Sequence, residues 1–114
     1  MSIEKRWPSD WVRAVLPVGI LRAIAVGGEA YGYQIIQLLR ASGFEGLSGG
    51  TVYPALNRLE SDGLVSSQWR QGDAGPGKKF YVLTPEGRDR LQESTRDWTE
   101  FTELITNLLH ERQG

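Results

Sequence analysis

Leu47-Ser-Gly-Gly-Thr-Val-Tyr-Pro-Ala-Leu-Asn-Arg-Leu-Glu-Ser-Asp-Gly63 is the stretch on which the fold depends. Val52, Leu56 and Leu59 lie four and then three residues apart, so they share one face of a helix and predict that this face is buried. Gly63 is the kind of residue that ends a helix in a left-handed conformation. The stretch therefore predicts one short amphipathic helix with a defined end.

The start and the outer face of this helix carry polar groups. Either Ser48 or Thr51 can cap the first turn by accepting a hydrogen bond from a backbone N–H. The outer face combines hydrogen-bonding, stacking and charged side chains: Thr51, Tyr53, Pro54, Asn57 and Arg58. Side chains of these types are typical of a helix that enters the major groove of DNA. We therefore predict a DNA recognition helix.

The chemistry of the side chains suggests individual roles in DNA binding. Asn57 can pair with adenine and Arg58 with guanine through two hydrogen bonds each, although either side chain could instead contact a phosphate or solvent. Four hydroxyl groups suit phosphate oxygens, which position a helix without carrying sequence information. They belong to Tyr33, Ser48, Thr51 and Tyr53. Gly49 and Gly50 would let the backbone approach the duplex closely.

Two further helices are predicted before the recognition helix. Apolar residues recur at helical spacing from Val12 to Ala25, and Pro17 within them indicates a helix start or a kink. The second predicted helix runs from Tyr31 to Gly43 and turns three apolar side chains inward. These are Ile35, Leu38 and Leu39. Two short helices joined by a turn that contains glycine form a helix-turn-helix, although many small bundles contain such a pair.

The segment after Gly63 predicts a wing, which is a hairpin beside the helix-turn-helix. Leu64–Arg70 and Lys79–Thr84 are rich in residues that favour strands, and a Gly-rich turn lies between them. Lys78 and Lys79 follow this turn and are predicted to contact the phosphate backbone. Because side chains alternate along a strand, one of the two lysines could face away from DNA.

The C-terminal segment predicts a long helix with an apolar stripe. Thr84 can cap the helix, Pro85 suits its first position, and Glu86 meets the positive end of its dipole. The stripe is formed by Leu91, Trp98, Phe101, Ile105 and Leu108, and Leu104 and Leu109 widen it. A small domain cannot cover a stripe of this width by itself, so we predict that a second copy covers it in a two-fold dimer.

Composition limits the classes of function. The 114 residues suit one small domain, and the net charge of −1 means that any DNA contact must be local. No signal peptide and no span apolar enough for a membrane is evident, so we expect a cytoplasmic protein without a membrane partner. With no cysteine and one histidine, the chain is expected to bind no metal and no cofactor, and not to be an enzyme.

Three segments of the chain resemble the PadR-type transcriptional regulators of bacteria. They are Ala30-Tyr-Gly-Tyr-Gln-Ile35, Leu47–Val65 with its Gly-Thr-Val-Tyr-Pro-Ala-Leu core, and Lys79-Phe-Tyr-Val-Leu-Thr-Pro-Glu-Gly87. The single C-terminal helix resembles the compact branch of that family. The resemblance implies a homodimeric repressor that binds palindromic operators in double-stranded DNA through its recognition helix and wing.

The resemblance also implies roles for particular residues. Tyr33, Thr51, Tyr53 and Pro54 match the motif of the helix-turn-helix, and Lys78 and Lys79 match a basic wing that often holds more bases than this one. Trp98 lies where some members of the family place an aromatic residue that lines a cavity between subunits. A small aromatic effector could bind there. The alternative is that Trp98 is a residue of the dimer core.

The expected architecture is mainly α-helical with a small β-hairpin. Residues 1–10 are expected to form a flexible arm, residues 11–84 a winged helix-turn-helix, and residues 85–114 a dimerisation helix. Trp7 and Trp11 are expected to pack on helices of the same chain or of a partner. The alternative function is a winged-helix module that binds proteins and has no sequence-specific affinity for DNA.

Overall fold

The structure, a computed structural model, describes residues 7–72 and 75–111. Within these residues the elements are α1 (Ser9–Gly27), β1 (Ala30–Tyr31), α2 (Gly32–Ala41), α3 (Gly49–Ser61), β2 (Val65–Arg70), β3 (Lys78–Leu83) and α4 (Pro85–Leu109). The predicted class is confirmed: a mainly helical winged helix-turn-helix followed by a long C-terminal helix. Residues 1–6, which make up most of the predicted arm, lie outside the described residues.

Helix α1 forms the centre of the domain and begins at Ser9, eight residues before Pro17. The prediction that the helix could start at Pro17 is therefore wrong. Proline removes one backbone N–H from the helical ladder, but Leu16 and Ile20 on either side are buried, and their packing holds the helix across this position. Pro17 itself is exposed to solvent.

Helix α3 buries the predicted face and ends at the predicted glycine. Val52, Leu56 and Leu59 are at most 4% exposed. Gly63 has φ of +78°, and its N–H donates to the carbonyl of Glu60 at 3.0 Å, while the next N–H, of Leu64, donates to Leu59 at 3.0 Å. This pair of bonds is a Schellman motif, which closes the carbonyl end of the helix.

Helix α2 ends in the same way at Gly43, whose φ is +128°. One inward residue was predicted wrongly: Leu38 is 37% exposed, and Ile36 is buried in its place. At about 100° per residue, Leu38 and Ile36 lie on opposite sides of the stripe formed by Ile35 and Leu39, and the apolar pattern alone does not show which side faces the core. The turn to α3 is held by Arg40, whose Nε donates to the carbonyl of Leu47 at 2.7 Å.

The strands form one antiparallel sheet in the order β1-β3-β2. The hairpin of β2 and β3 is present as predicted. The structure adds its register, in which Arg70 lies opposite Lys78 next to the turn. Strand β1 was not predicted, because two residues are too short to show an alternating pattern. It pairs Ala30 with Tyr81 and thereby joins the start of α2 to the wing.

Helix α4 begins as predicted and extends away from the rest of the domain. Thr84 accepts the N–H of Gly87 at 2.9 Å, and its hydroxyl donates to the carbonyl of Gly63 at 2.7 Å. A Cβ on Gly87 would lie 1.9 Å from the carbonyl oxygen of Leu64, so this close approach requires glycine. The radius of gyration is 16.3 Å, whereas a compact domain of this size has about 13 Å.

Candidate nucleic-acid interface

The outer face of α3 is exposed and polar, as predicted. Thr51, Tyr53, Pro54, Asn57 and Arg58 all reach solvent. Within the described part of the chain, Asn57 and Arg58 form no side-chain hydrogen bond or ion pair. Both side chains are therefore available to an external ligand, with the donors and acceptors that base edges and phosphates match.

The first turn of α3 differs from the prediction in one respect. Ser48 immediately precedes the helix, but its side chain makes no capping bond, so the predicted side-chain cap is wrong. The backbone carbonyl of Ser48 instead accepts the N–H groups of Thr51 and Val52, both at 3.1 Å. The Ser48 hydroxyl is exposed and remains available. The N–H groups of a first helical turn carry a partial positive charge, which favours an anion near them.

Gly49 and Gly50 have different surroundings, although both were predicted to let the backbone approach the duplex. A Cβ on Gly49 would lie 3.1 Å from the ring of Tyr53, so this glycine makes room for that side chain. A Cβ on Gly50 would meet Ser48 Oγ at 3.7 Å, an ordinary contact, and otherwise open space. Of the two, Gly50 has the free surface that close approach of another molecule would use.

Tyr53 is held between the starts of α2 and α3. A Cβ on Gly32 would lie 2.4 Å from Cε1 of the Tyr53 ring and 2.5 Å from its hydroxyl oxygen. The ring therefore lies directly against the backbone of Gly32 on one side and of Gly49 on the other. Its remaining surface, 44% of the side chain, reaches solvent. The two glycines thus fix the position of an exposed phenol at the junction of the helices.

A groove between the wing and the helix-turn-helix collects four predicted DNA-binding residues. Tyr33, Tyr53, Lys78 and Lys79 line it together with Tyr31, Gly32, Trp69, Gly77 and Tyr81. Ser48, Gly50, Pro54, Asn57 and Arg58 lie outside the groove, on the exposed surface of α3 and at its start. Thr51 instead borders a small pocket with Trp7 and Phe44, on the side of α1.

The two wing lysines have different electrostatic partners. Lys79 Nζ lies 3.3 Å from Glu60 Oε1, and the Ser67 hydroxyl donates to Oε2 of the same carboxylate at 2.5 Å. The hydrogen bond from Ser67, followed by the interactions with Lys79, lowers the pKa of Glu60 below its ordinary value. Lys78 Nζ lies 4.3 Å from the ring centre of Tyr31 and forms no ion pair with the described residues. The positive charge of Lys79 is thus partly neutralised, whereas no described carboxylate neutralises that of Lys78.

Arg70 is a third basic residue of the wing, and its interactions stabilise the fold. Its guanidinium donates two hydrogen bonds to the Glu29 carboxylate, at 2.6 and 2.8 Å, and lies 4.4 Å from the ring centre of Phe80. The hydrogen bonds from Arg70 lower the pKa of Glu29 and raise that of Arg70. This pair fastens the end of β2 to the segment between α1 and β1. The positive charge of Arg70 is therefore not available to bind a phosphate.

Trp69 is a groove residue that the sequence analysis did not single out. It is 68% exposed, although it is the largest side chain of the hairpin. Lys79 lies directly opposite it in the sheet register. The signal in the sequence was a tryptophan at the end of a strand, two residues before a Gly-rich turn, where no core is available to bury it.

The predicted dimer residues separate into two groups along α4. Leu91 is partly buried against the core of its own chain, and Trp98 is partly buried beside α1. Phe101, Ile105 and Leu108 are exposed, by 53%, 36% and 63%. Leu104 and Leu109 are also exposed. The second half of the helix therefore carries an apolar surface that none of the described elements covers.

An apolar groove runs between this part of α4 and the start of α1. Trp98 and Phe101 meet edge to face with ring centres 5.9 Å apart on one side, and Trp7 and Trp11 stack at 6.4 Å on the other. Val15, Phe44 and Ile105 also line the groove. Trp7 and Trp11 are 43% and 63% exposed, so their own chain covers them only in part.

The described residues provide neither a metal site nor a membrane-spanning helix. Residues 7–72 and 75–111 contain no group of three or more His, Asp or Glu side chains placed to hold a metal ion. None of the helices in this part of the chain is both long and apolar enough to cross a membrane.

Comparison with known proteins identifies the fold and the motif. The sequence profile of the transcriptional regulator PadR-like family matches residues 20–93, which include α2, α3 and the wing. The transcriptional regulator Rv3488 of Mycobacterium tuberculosis is 39% identical over 96 residues, which cover 84% of this chain and 87% of that protein. The profile match spans α3 and the groove described above.

Solved structures agree with this assignment. A PadR-like transcriptional regulator from Bacillus cereus is similar with a TM-score of 0.79 and 30% identity, covering 90% of this chain and 99% of that one. A PadR family transcriptional regulator from Eggerthella lenta has a TM-score of 0.75 and 30% identity, covering 91% and 89%. These relatives are regulators and not enzymes, as expected for this chain. The chain belongs to the PadR-like family of transcriptional regulators.

Proposed function

We propose that this regulator is a cytoplasmic homodimeric repressor that binds a palindromic operator with sequence specificity. The observation that carries the proposal is that the exposed outer face of α3 adjoins the groove of the wing, with Tyr53 belonging to both. Among the described residues, Asn57 and Arg58 have no side-chain partner, and Lys78 has no carboxylate partner. This surface offers base-reading groups beside phosphate-binding groups, which is the combination that a specific DNA site requires.

On DNA, α3 lies in the major groove in this proposal. Asn57 and Arg58 contact base edges, and Pro54 packs on the outer surface of the same helix. The hydroxyls of Ser48, Thr51, Tyr33 and Tyr53 contact phosphates around the start of α3. There the first-turn N–H groups add a favourable dipole, and Gly50 allows close approach. Lys78 and Lys79 contact phosphates from the wing.

The second half of α4 forms the dimer in this proposal. Trp98, Phe101, Ile105 and Leu108 belong to an apolar surface that water would otherwise contact, and Leu91 supports it from the domain side. A second copy can cover this surface with the same surface of its own, because a two-fold axis makes one patch self-complementary. The helix is about 37 Å long, which is enough to reach beyond its own domain. Two recognition helices held in this way match the two halves of a palindrome.

A small planar aromatic effector would bind beside Trp98 in this proposal. The groove has aromatic rings on both walls, and such rings favour stacking with a flat ligand. Carboxylates lie nearby: Asp10 lines this groove, and Asp97 and Glu100 line the adjoining surface with Trp98. They favour a neutral or cationic aromatic compound over an anionic one. The effector would release the operator by changing the packing of α4 against α1.

Fluorescence anisotropy with a duplex from the region upstream of the regulator's own gene tests DNA binding. A specific site should bind more tightly than a duplex of scrambled sequence, and the affinity should fall steeply as salt is raised. Substitution of Lys78 by alanine should reduce the slope of log affinity against log salt by about 0.9, the value for one phosphate contact. Gln68→Ala, an exposed polar change on the same hairpin, is the matched control and should leave the slope unchanged.

The same measurement separates this proposal from a protein-binding winged helix. A module that binds proteins through α4 would show no duplex binding at low salt. Its α4 surface would either remain exposed or bind a different chain. Sedimentation of the wild-type chain tests the dimer separately. A reporter gene behind the operator tests repression, since removal of the regulator should raise expression.

A further inference from the structure

We propose that Trp69 is an apolar DNA contact of the wing, which packs its indole ring against deoxyribose sugars next to the phosphate bound by Lys79. The inference rests on the proposed DNA-binding function and adds a residue of a different chemical type to it. The occupant of this surface is duplex DNA, because Trp69 lines the same groove as Tyr33, Tyr53 and Lys79.

The exposure of Trp69 is the first observation. A large aromatic side chain that is 68% exposed leaves most of its apolar surface in water, which is unfavourable unless a partner covers it. The covered edge of the ring packs beside Gly77: a Cβ on that glycine would lie 3.3 Å from Trp69 Cε3 and 2.7 Å from the carbonyl oxygen of Arg70. The hairpin therefore holds the ring at its edge and leaves the remainder free.

The direction of Trp69 is the second observation. Side chains alternate along β2, so Trp69 lies on the same sheet face as Ser67, whose hydroxyl bonds to Glu60 of α3. Lys79, directly opposite Trp69, lies on this face and contacts the same Glu60. Trp69 thus lies on the α3 side of the wing, beyond the last buried residue of the sheet. A duplex that contacts α3 and Lys79 would pass over this ring.

The chemistry of the surroundings identifies the part of DNA that fits. A sugar–phosphate backbone alternates apolar sugar faces with anionic phosphates. The groove combines both kinds of partner: the ring of Trp69 lines it together with Lys79, its neighbour across the sheet, and with the hydroxyl-bearing rings of Tyr33 and Tyr53. Contacts of this kind do not depend on sequence. Trp69 should therefore contribute to affinity for any duplex and little to discrimination between operators.

Binding to a mixed-sequence duplex at low salt tests the inference without a known operator. Trp69→Ala should weaken binding by about tenfold, the effect expected from one large aromatic contact. Trp69→Phe, which keeps an aromatic ring, should recover most of that loss. The slope of log affinity against log salt should stay at the wild-type value in Trp69→Ala, because an apolar contact releases no counterions. In Lys78→Ala, by contrast, the slope should fall by about 0.9.

Gln68→Ala is the matched control, since this exposed neighbour lies on the opposite face of the same strand. It should bind as the wild type does. Thermal unfolding followed by circular dichroism should show the same midpoint for both variants, because neither side chain is buried. Equal affinity of Trp69→Ala and wild type, or a changed salt slope in Trp69→Ala, would overturn the inference. Tight binding to mixed sequence without preference for any upstream site would overturn the sequence-specific repressor and leave the role of Trp69 intact.

Discussion

Gly32→Ala tests how α3 is positioned against α2. The added methyl group would lie 2.4 Å from Tyr53 Cε1, 2.5 Å from its hydroxyl oxygen and 2.7 Å from Cζ. Unstrained contacts between such atoms need about 3.5–4.0 Å, so the tyrosine ring must move by about 1 Å or leave its site. Gly32 does not have a positive φ, so the backbone itself tolerates alanine.

The magnitude follows from two opposing effects. Overpacking of this kind costs about 1–3 kcal/mol. Alanine favours a helix over glycine by up to about 1 kcal/mol, and less at the first residue of α2. We therefore expect Gly32→Ala to lower the free energy of unfolding by about 1–2 kcal/mol. In a chain that already carries Tyr53→Ala, the same change should be neutral or stabilising.

Urea unfolding of the two single variants, the double variant and the wild type measures this coupling. All four must be compared at one protein concentration, because the stability of a dimer depends on concentration. Gly50→Ala is the matched control, since its methyl group would meet only an ordinary contact at 3.7 Å. It should keep the stability of the wild type but weaken DNA binding. An equal loss from Gly32→Ala with and without Tyr53 would refute the clash as the cause.

The remaining predictions concern charge and assembly. Ile105→Asp should produce a monomer in sedimentation, because a buried uncompensated charge costs on the order of 3–5 kcal/mol. The control Asn107→Asp, on the opposite side of α4, should remain a dimer. A dimeric Ile105→Asp would place the interface elsewhere. Glu60→Gln should release Lys79 from its ion pair and strengthen DNA binding at low salt, because the ammonium then no longer divides its interaction between carboxylate and phosphate, and an unchanged affinity would mean that Lys79 does not contact phosphate. The hydrogen bonds from Arg70 lower the pKa of Glu29 below the ordinary glutamate pKa of 4.5. The ion pair therefore stabilises the fold fully above pH 4.5, and this contribution is lost as the pH falls through the lowered pKa of Glu29. The stability difference between wild type and Glu29→Gln should accordingly be present at pH 7 and vanish in acid, and a difference that persists in acid would contradict the pair.

Much of the fold could be predicted because strong local signals coincided with burial. The face formed by Val52, Leu56 and Leu59 and the ends at Gly43 and Gly63 were visible in the sequence. Each of these features depends on residues close together in the chain. The start of α1 was not predictable, since tertiary packing outweighs the local effect of a proline.

The candidate site could be predicted only in part, because its geometry depends on contacts that are distant in sequence. Tyr53 was identified as an exposed hydroxyl, but the packing of its ring against Gly32 is a contact between α3 and α2 that the sequence does not reveal. Likewise, the wing contains three basic residues, yet Glu29 neutralises Arg70 and Glu60 partly neutralises Lys79. Net charge along the chain does not reveal which positive groups remain free.

Footprinting of the regulator on the duplex upstream of its own gene tests the central claim most directly. We expect two protected half-sites, related by an inverted repeat, with centres about 10 base pairs or a multiple of one helical turn apart. Asn57→Ala and Arg58→Ala should each reduce this protection while leaving salt-dependent binding to mixed sequence in place. Uniform coverage without half-sites, or no protection at low salt, would contradict the proposal that this protein is a dimeric, sequence-specific repressor.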